Sequence, residues 1–231
     1  MLENILEYER SLFLYLNSFK TPVVDNFMWL YSGKIIWIPL ILLFLYVFIK
    51  KQRWQQILLV LIAIGLVILF CDQFASGFCK PLFHRFRPTH HPEFMDQVKI
   101  VFGYRGGRYG FISSHAANAF GYAMFLTLLF RNKFFSIVIF TWAILQAYSR
   151  IYLGVHFITD IIPGIIVGLF FGWFVYWLFK MAVNYLCRIG YNLQIHPYNK
   201  LSANILSYGM ILYIALMFVF GSQLVNLLYK F

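Results

Sequence analysis

Six stretches of this chain are apolar almost without interruption: roughly Met28 to Ile49, Gln55 to Phe78, Ser114 to Phe130, Phe134 to Arg150, Phe157 to Phe179 and Ser202 to Leu228. Each approaches the ~20 residues that a helix needs to cross a hydrocarbon core. Lipid cannot satisfy backbone N–H and C=O groups, so such stretches must close their hydrogen bonds internally, as helices. The pattern predicts an all-α protein, a polytopic membrane bundle of about six transmembrane helices forming one domain over residues 1–231. Ahead of the first block the pattern changes. Leu2, Ile5, Leu6, Leu12, Phe13 and Leu16 recur at helical spacing with Glu3, Glu7 and Glu9 between them. This predicts an amphipathic helix over about residues 1–20, lying along the membrane interface or packed on the bundle surface. Pro22 then turns the chain toward the first block.

Composition points to the same class. Hydrophobic residues make up 61% of the chain, aromatic residues 21% and charged residues only 12%, which excludes an ordinary soluble domain. The acidic N-terminus lacks the basic region and cleavage site of a secretory leader. Charge placement sets the orientation, because short cytoplasmic loops collect lysine and arginine. Lys50, Lys51 and Arg53 follow the first block, Arg131 and Lys133 the third, and Lys180, Arg188 and Lys200 the fifth. These loops are expected inside, with both termini on the opposite face. Segment 80–112 then lies outside despite Lys80, Arg85, Arg87, Lys99, Arg105 and Arg108, so its cations have work other than topology. An inverted orientation would put them in the cytoplasm, and the charge count leaves that open. The net charge of +11 suits membrane surfaces and phosphorylated lipid, and no nucleic-acid module is visible. Cys71 and Cys79 are eight residues apart on one expected helix, about 12 Å along its axis and too far for a disulfide.

Chemistry concentrates in three clusters at the ends of these blocks. Lys80 and Arg87 stand seven residues apart, close to two turns if the helix continued, although Pro81 and Pro88 argue against regular helix. Two such cations can converge on an oxyanion, or can simply snorkel to lipid headgroups. Ser113, Ser114 and His115 open the third block, where hydroxyls and free backbone N–H groups make an anion site or an ordinary serine cap. Ser149 and Arg150 end the fourth block, and His156 and Asp160 stand four residues apart where the fifth begins. That spacing puts both on one helical face, so the carboxylate can hold one imidazole nitrogen and free the other as a nucleophile. An acid at the edge of a span is costly unless partnered, which marks Asp160 for function. All three clusters fall on the same side of the membrane.

The segments KPLFHRFRP (80–88), SSH (113–115) and SRIYLGVHFITD (149–160) resemble the three signature motifs of the type 2 phosphatidic acid phosphatase and haloperoxidase superfamily. The middle motif of that family usually reads Pro-Ser-Gly-His, whereas Ile112 and Ser114 stand here at the proline and glycine positions. The resemblance implies a mechanism without metal or other cofactor. In it His156 attacks phosphorus, Asp160 orients His156, and His115 protonates the leaving group and then activates water. Lys80, Arg87, Ser113, Ser114 and Arg150 hold the phosphate oxygens. His84, His90 and His91 could suggest zinc, but no Cys or acid at ligand spacing joins them; they are expected at the pocket rim. The stretch YRGGRYGF (104–111) either approaches a bulky polar headgroup or forms a flexible external loop.

The sequence therefore predicts an integral-membrane lipid phosphatase, with a phospholipid or glycolipid substrate, the bilayer as its surroundings and no obligate protein partner evident. Lipid A phosphate, undecaprenyl diphosphate, phosphatidylglycerol phosphate and phosphatidic acid are the substrates the resemblance implies, with lipid A slightly favoured by the basic, glycine-containing loop. The expected place is a bacterial inner membrane with the site on the periplasmic face. Two other readings remain open at this point: a non-enzymatic lipid-binding or lipid-flipping protein, and a vanadate-dependent haloperoxidase on the same anion pocket.

Overall fold

The computed structural model of the chain describes residues 2–229 and is helical throughout its regular structure. Ten α-helices follow one another: α1 (Leu2–Asn17), α2 (Pro22–Ser32), α3 (Ile38–Ile49), α4 (Trp54–Asp72), α5 (Lys80–Phe83), α6 (Ser114–Phe130), α7 (Lys133–Tyr152), α8 (Ile158–Arg188), α9 (Lys200–Val219) and α10 (Gly221–Tyr229). Their starts follow side-chain chemistry. Thr21 accepts the Val24 N–H ahead of Pro22, Asn132 accepts the Phe135 N–H at 3.0 Å, and Asn199 accepts the Ser202 N–H at 2.9 Å. Each cap satisfies a helix N–H that has no partner within the helix.

The all-α membrane architecture stands, with four to five candidate spans among the described residues where the apolar pattern gave about six. Among the described residues four helical stretches are long and apolar enough to cross a membrane: Trp54–Phe83, Lys133–Tyr152, Ile158–Arg188 and Lys200–Val219. A fifth would be the pair Pro22–Ser32 and Ile35–Ile49, which is bent by 78°. The first apolar block is therefore not one straight helix. Its break lies at Gly33, which caps α2 in an extended conformation, and hydrophobicity alone cannot register such a bend. The third block forms α6, whose 17 residues reach only ~26 Å. This helix sits inside the bundle, with ten of its residues buried, so it has little need of lipid contact. The sixth block is broken at Phe220, where α9 ends and α10 turns back against α2.

Helices α6 and α8 form the centre of the bundle through close backbone approach. Gly164, Gly168 and Gly172 follow one another at four-residue spacing and face Ala117 and Gly121 of α6. A Cβ on Gly168 would lie 2.3 Å from the Ala117 carbonyl oxygen. In lipid, where apolar side chains gain nothing by leaving hydrocarbon for each other, such small-residue contact is what holds helices together. The outward faces carry Leu58, Ile62, Ile68, Ile137, Ile144, Ile166 and Phe170, all exposed, as lipid contact requires.

Helix α1 matches the expected N-terminal helix, although Met1 and the side chains of Leu2, Ile5 and Leu6 lie outside the described part. It packs on the bundle: Phe13 is buried against Phe94 and Phe157, while Tyr8, Leu12, Tyr15 and Phe19 face outward. Asn17 anchors its end, donating to the Ile151 and Tyr152 carbonyls and exchanging hydrogen bonds with the Lys99 backbone. Cys71, Cys79 and Cys187 are free thiols.

Candidate active site

The first turn of α8 and the four residues before it place the histidine–acid pair. Asp160 Oδ2 accepts the Phe157 N–H at 3.0 Å, capping the helix from within its first turn. The same oxygen lies 3.4 Å from His156 Nδ1, and both side chains are fully buried. With Nδ1 turned to the carboxylate, His156 Nε2 points away, buried and without a hydrogen-bond partner. His156 is held well below its ordinary value of 6.5, first by burial and then by repulsion from Arg87, Arg150, Lys80 and Arg85. At neutral pH its free nitrogen therefore carries a lone pair.

Cations from three elements act on that imidazole electrostatically. Between α4 and α5 the helix passes through a π-helical stretch, Gln73–Cys79, which shifts the phase of the turns. Along it a ladder forms. Ser76 Oγ donates to Asp72 at 3.3 Å, and Lys80 Nζ donates to Ser76 Oγ at 3.0 Å and to Ser114 Oγ at 3.2 Å. Ser114, which stands where the family motif usually has glycine, thus ties Lys80 to the start of α6. Regular helix does not connect Lys80 to Arg87: α5 ends at Phe83, and His84 turns the chain in the left-handed region at φ 46°. Arg87 instead enters through the following loop, with Nε donating to the Tyr109 carbonyl at 3.0 Å. Burial pushes its guanidinium down to about 10, with Arg150 repelling it further, so it remains cationic at neutral pH.

Arg150 is buried to 1% exposure, yet both of its bonded partners are neutral. One Nη donates to Ser32 Oγ, the other to the Tyr104 hydroxyl at 3.2 Å, and Nε has no partner. A buried cation without a carboxylate is costly unless an anion completes it. Ser113 is the N-cap of α6: its hydroxyl accepts the Ala116 N–H at 3.4 Å and its own N–H donates to the Asp160 carbonyl at 2.9 Å. His115, half-buried in the first turn, is within electrostatic reach of Arg150, His156, Arg87 and Lys80. All eight residues singled out in the sequence thus lie at one end of the bundle. Ser149 is set apart, its hydroxyl bonded back to the Gln146 carbonyl at 2.7 Å.

Several residues of the site were marked in the sequence only by charge or glycine content, without their partners. Arg85 Nη1 donates to Asp160 Oδ1 at 2.8 Å, a shorter contact than the one to His156, while Nη2 donates to Glu9 of α1 at 2.7 Å. Segment 104–111 is a loop tied to residues 85–87 by backbone bonds. Phe86 and Tyr109 form a β-bridge, the Arg87 N–H donates to the Arg108 carbonyl at 3.1 Å, and the Gly110 N–H donates to the Arg85 carbonyl at 2.8 Å. Gly110 has to be glycine, since a Cβ there would stand 2.9 Å from Asp160 Oδ2. Of the three loop histidines, His84 meets the Tyr109 ring, His90 bonds with Thr89 and His91 meets Phe94 edge-on. Among the described residues no three His, Cys, Asp or Glu gather at metal-holding spacing.

Residues 61–184, which contain all three clusters, match the sequence model of the PAP2 superfamily. The chain belongs to that superfamily. A lipid A 4′-phosphatase of Porphyromonas gingivalis is 50% identical over 163 residues, spanning 71% of this chain and 69% of that one. A lipid A 4′-phosphatase of Bacteroides thetaiotaomicron is 42% identical over 166 residues, covering 71% and 73%. Among solved structures, LpxE of Aquifex aeolicus superposes with a TM-score of 0.51 at 26% identity, covering 71% of this chain and 92% of that one. A PAP2-type phosphatidylglycerolphosphate phosphatase of Bacillus subtilis gives 0.54 at 21% identity, over 77% and 87%; that is a likeness of fold.

Proposed function

We propose that this PAP2 lipid phosphatase removes the 4′-phosphate of lipid A through a phosphohistidine on His156. The observation that carries the chemistry is the pairing of two unsatisfied buried groups: His156 Nε2, free and neutral, and Arg150, cationic with no carboxylate partner. A phosphate monoester satisfies both. The choice of lipid A rests on the two relatives that bear that name, and the membrane-level position of the site suits a substrate whose acyl chains stay in the bilayer.

In the first step Nε2 forms a bond to phosphorus as the bond from phosphorus to the sugar oxygen breaks, and that oxygen receives, through His115, the proton that a phosphate monoanion carries into the site. Lys80, Arg87 and Arg150 neutralise the three non-bridging oxygens, where charge spreads in a loose transition state. The Ser113 hydroxyl, whose oxygen is used in capping, keeps its proton to donate, and the Ser114 N–H opens the helix toward the same anion. In the second step water attacks phosphorus, passes a proton to His115 and releases inorganic phosphate from His156. Asp160 holds the Nδ1 side of the ring throughout. Following the lysine and arginine of the remote loops, the catalytic end faces the periplasm of a bacterial inner membrane.

Phosphate release from purified lipid A by the detergent-solubilised protein tests this. His156→Ala is expected to lower turnover on the order of 10⁴-fold or more. His115→Ala should be slow on lipid A yet form an acid-labile phosphoenzyme rapidly from an aryl phosphate, whose leaving group needs no proton. Retention of turnover by His156→Ala would exclude the nucleophile.

A further inference from the structure

At the end of the bundle remote from His156 a cleft of about 860 Å³ opens between the C-terminus of α6, the N-terminus of α7 and the flank of α8. It is lined by Arg131, Lys133 and Lys180, one cation from each side. No Asp or Glu occurs in the connecting segments at this end, nor anywhere after Asp160, and none of the three cations has an ion-pair partner among the described residues. The catalytic chemistry uses none of them.

The cleft is built, not merely charged. Arg131 caps α6 in the left-handed region at φ 49°, which turns the chain at once into α7. His196 closes the side: its Nδ1 lies 3.3 Å from the Leu129 carbonyl and its Nε2 3.4 Å from Arg131 Nη1. With Nδ1 donating to the carbonyl, Nε2 accepts from the guanidinium and fixes its direction. The ring is braced by Tyr176, stacked at 6.3 Å and 24°. The positive end of the α7 dipole adds to the field. Ile137, which faces lipid at 66% exposure, lines the same cleft, so a charged head held by the cations would have an apolar surface beside it for a chain.

We propose that this cleft binds a phosphate oxyanion, presented by an anionic phospholipid headgroup of the leaflet opposite the catalytic end. Three cations lining one cleft suit the oxygens of a phosphate, and the apolar wall favours a lipid over a free ion. On the orientation proposed above, this is the cytoplasmic leaflet, where basic pockets between helices meet anionic lipid.

The test is a titration of the full-length protein, delipidated in neutral detergent, with short-chain phosphatidylglycerol, short-chain phosphatidylcholine and inorganic phosphate, read by melting temperature. Phosphatidylglycerol is expected to raise the melting temperature, and the combined variant Arg131→Gln, Lys133→Gln and Lys180→Gln should need about a hundredfold more lipid for the same rise. Hydrolysis by that variant in detergent should equal that of the unaltered protein, which also shows that it folds. If the combined variant does not fold, Lys180→Gln alone is titrated and should need several-fold more lipid. An equal rise from inorganic phosphate that is lost in the same variants would support the anion site with free phosphate as its ligand. An unchanged phosphatidylglycerol response in the variants, or a phosphatidylcholine response as large, would overturn the proposal.

Discussion

Asp160 serves more partners than its spacing to His156 suggests. It caps the Phe157 N–H, faces His156 Nδ1 and forms its shortest contact with Arg85, which Glu9 holds from the other side. The carboxylate is fully buried and Arg85 only partly so, so removing the guanidinium would strand a charge. Arg85→Ala is expected to destabilise the protein by about 3 kcal/mol, seen as a lower melting temperature in detergent, with Arg85→Lys recovering part of it. The pH profile follows from His156. Its value lies below 6.5 through burial and four neighbouring cations, so the neutral form, which the proposed mechanism uses as nucleophile, persists as pH falls through 6.5 and is lost only well below. The acid limb of kcat/KM, corrected for ionisation of the substrate phosphate, should therefore lie well below pH 6.5. A limb at 6.5 or above would contradict the buried, cation-flanked imidazole.

At the scale of the elements, two close approaches hold the site in shape. The glycine stripe of α8 lets α6 lie against it, and that contact sets the distance between the helix starts that carry Ser113 to His115 and Asp160. Gly168→Ala should cost about 2 kcal/mol of stability through overpacking and lower turnover as the helix starts move. Gly65→Ala, on α4 with nothing within 4 Å of the new Cβ, should be neutral or stabilising by up to ~1 kcal/mol. Melting temperature and turnover of the two variants separate packing from helix propensity. The segment carrying Tyr104 to Gly110 is the second approach. It is bonded to Arg85 and Arg87 through backbone groups and to Arg150 through Tyr104, so it forms a wall of the site.

Over the whole molecule, charge divides by end. The remote end carries lysine and arginine with no acid in its connecting segments, while the catalytic end mixes both signs. Single cysteines placed at Lys133 and Arg105, in a background lacking Cys71, Cys79 and Cys187, would report orientation through a membrane-impermeant maleimide applied to intact spheroplasts. Arg105→Cys is expected to label and Lys133→Cys to remain protected until the membrane is opened. The reverse result would invert the orientation and place the catalytic end in the cytoplasm.

The helical class, the membrane setting and the three clusters were legible in the chain because each depends on local order: apolar run length, the four-residue step from His156 to Asp160, and serine at a helix start. The 78° bend beside Gly33 was not legible, since hydropathy is blind to backbone direction. Nor were the ties of Arg85 to Glu9 and Asp160, or of Tyr104 and Ser32 to Arg150, which join residues far apart in sequence. The order of residues determined which chemical groups the protein owns and roughly where they meet the membrane surface. Only the packing of α6 on α8, and of segment 84–112 over both, decided which cations lack a counter-ion and which imidazole nitrogen is free, because burial and pairing arise between segments and not within them.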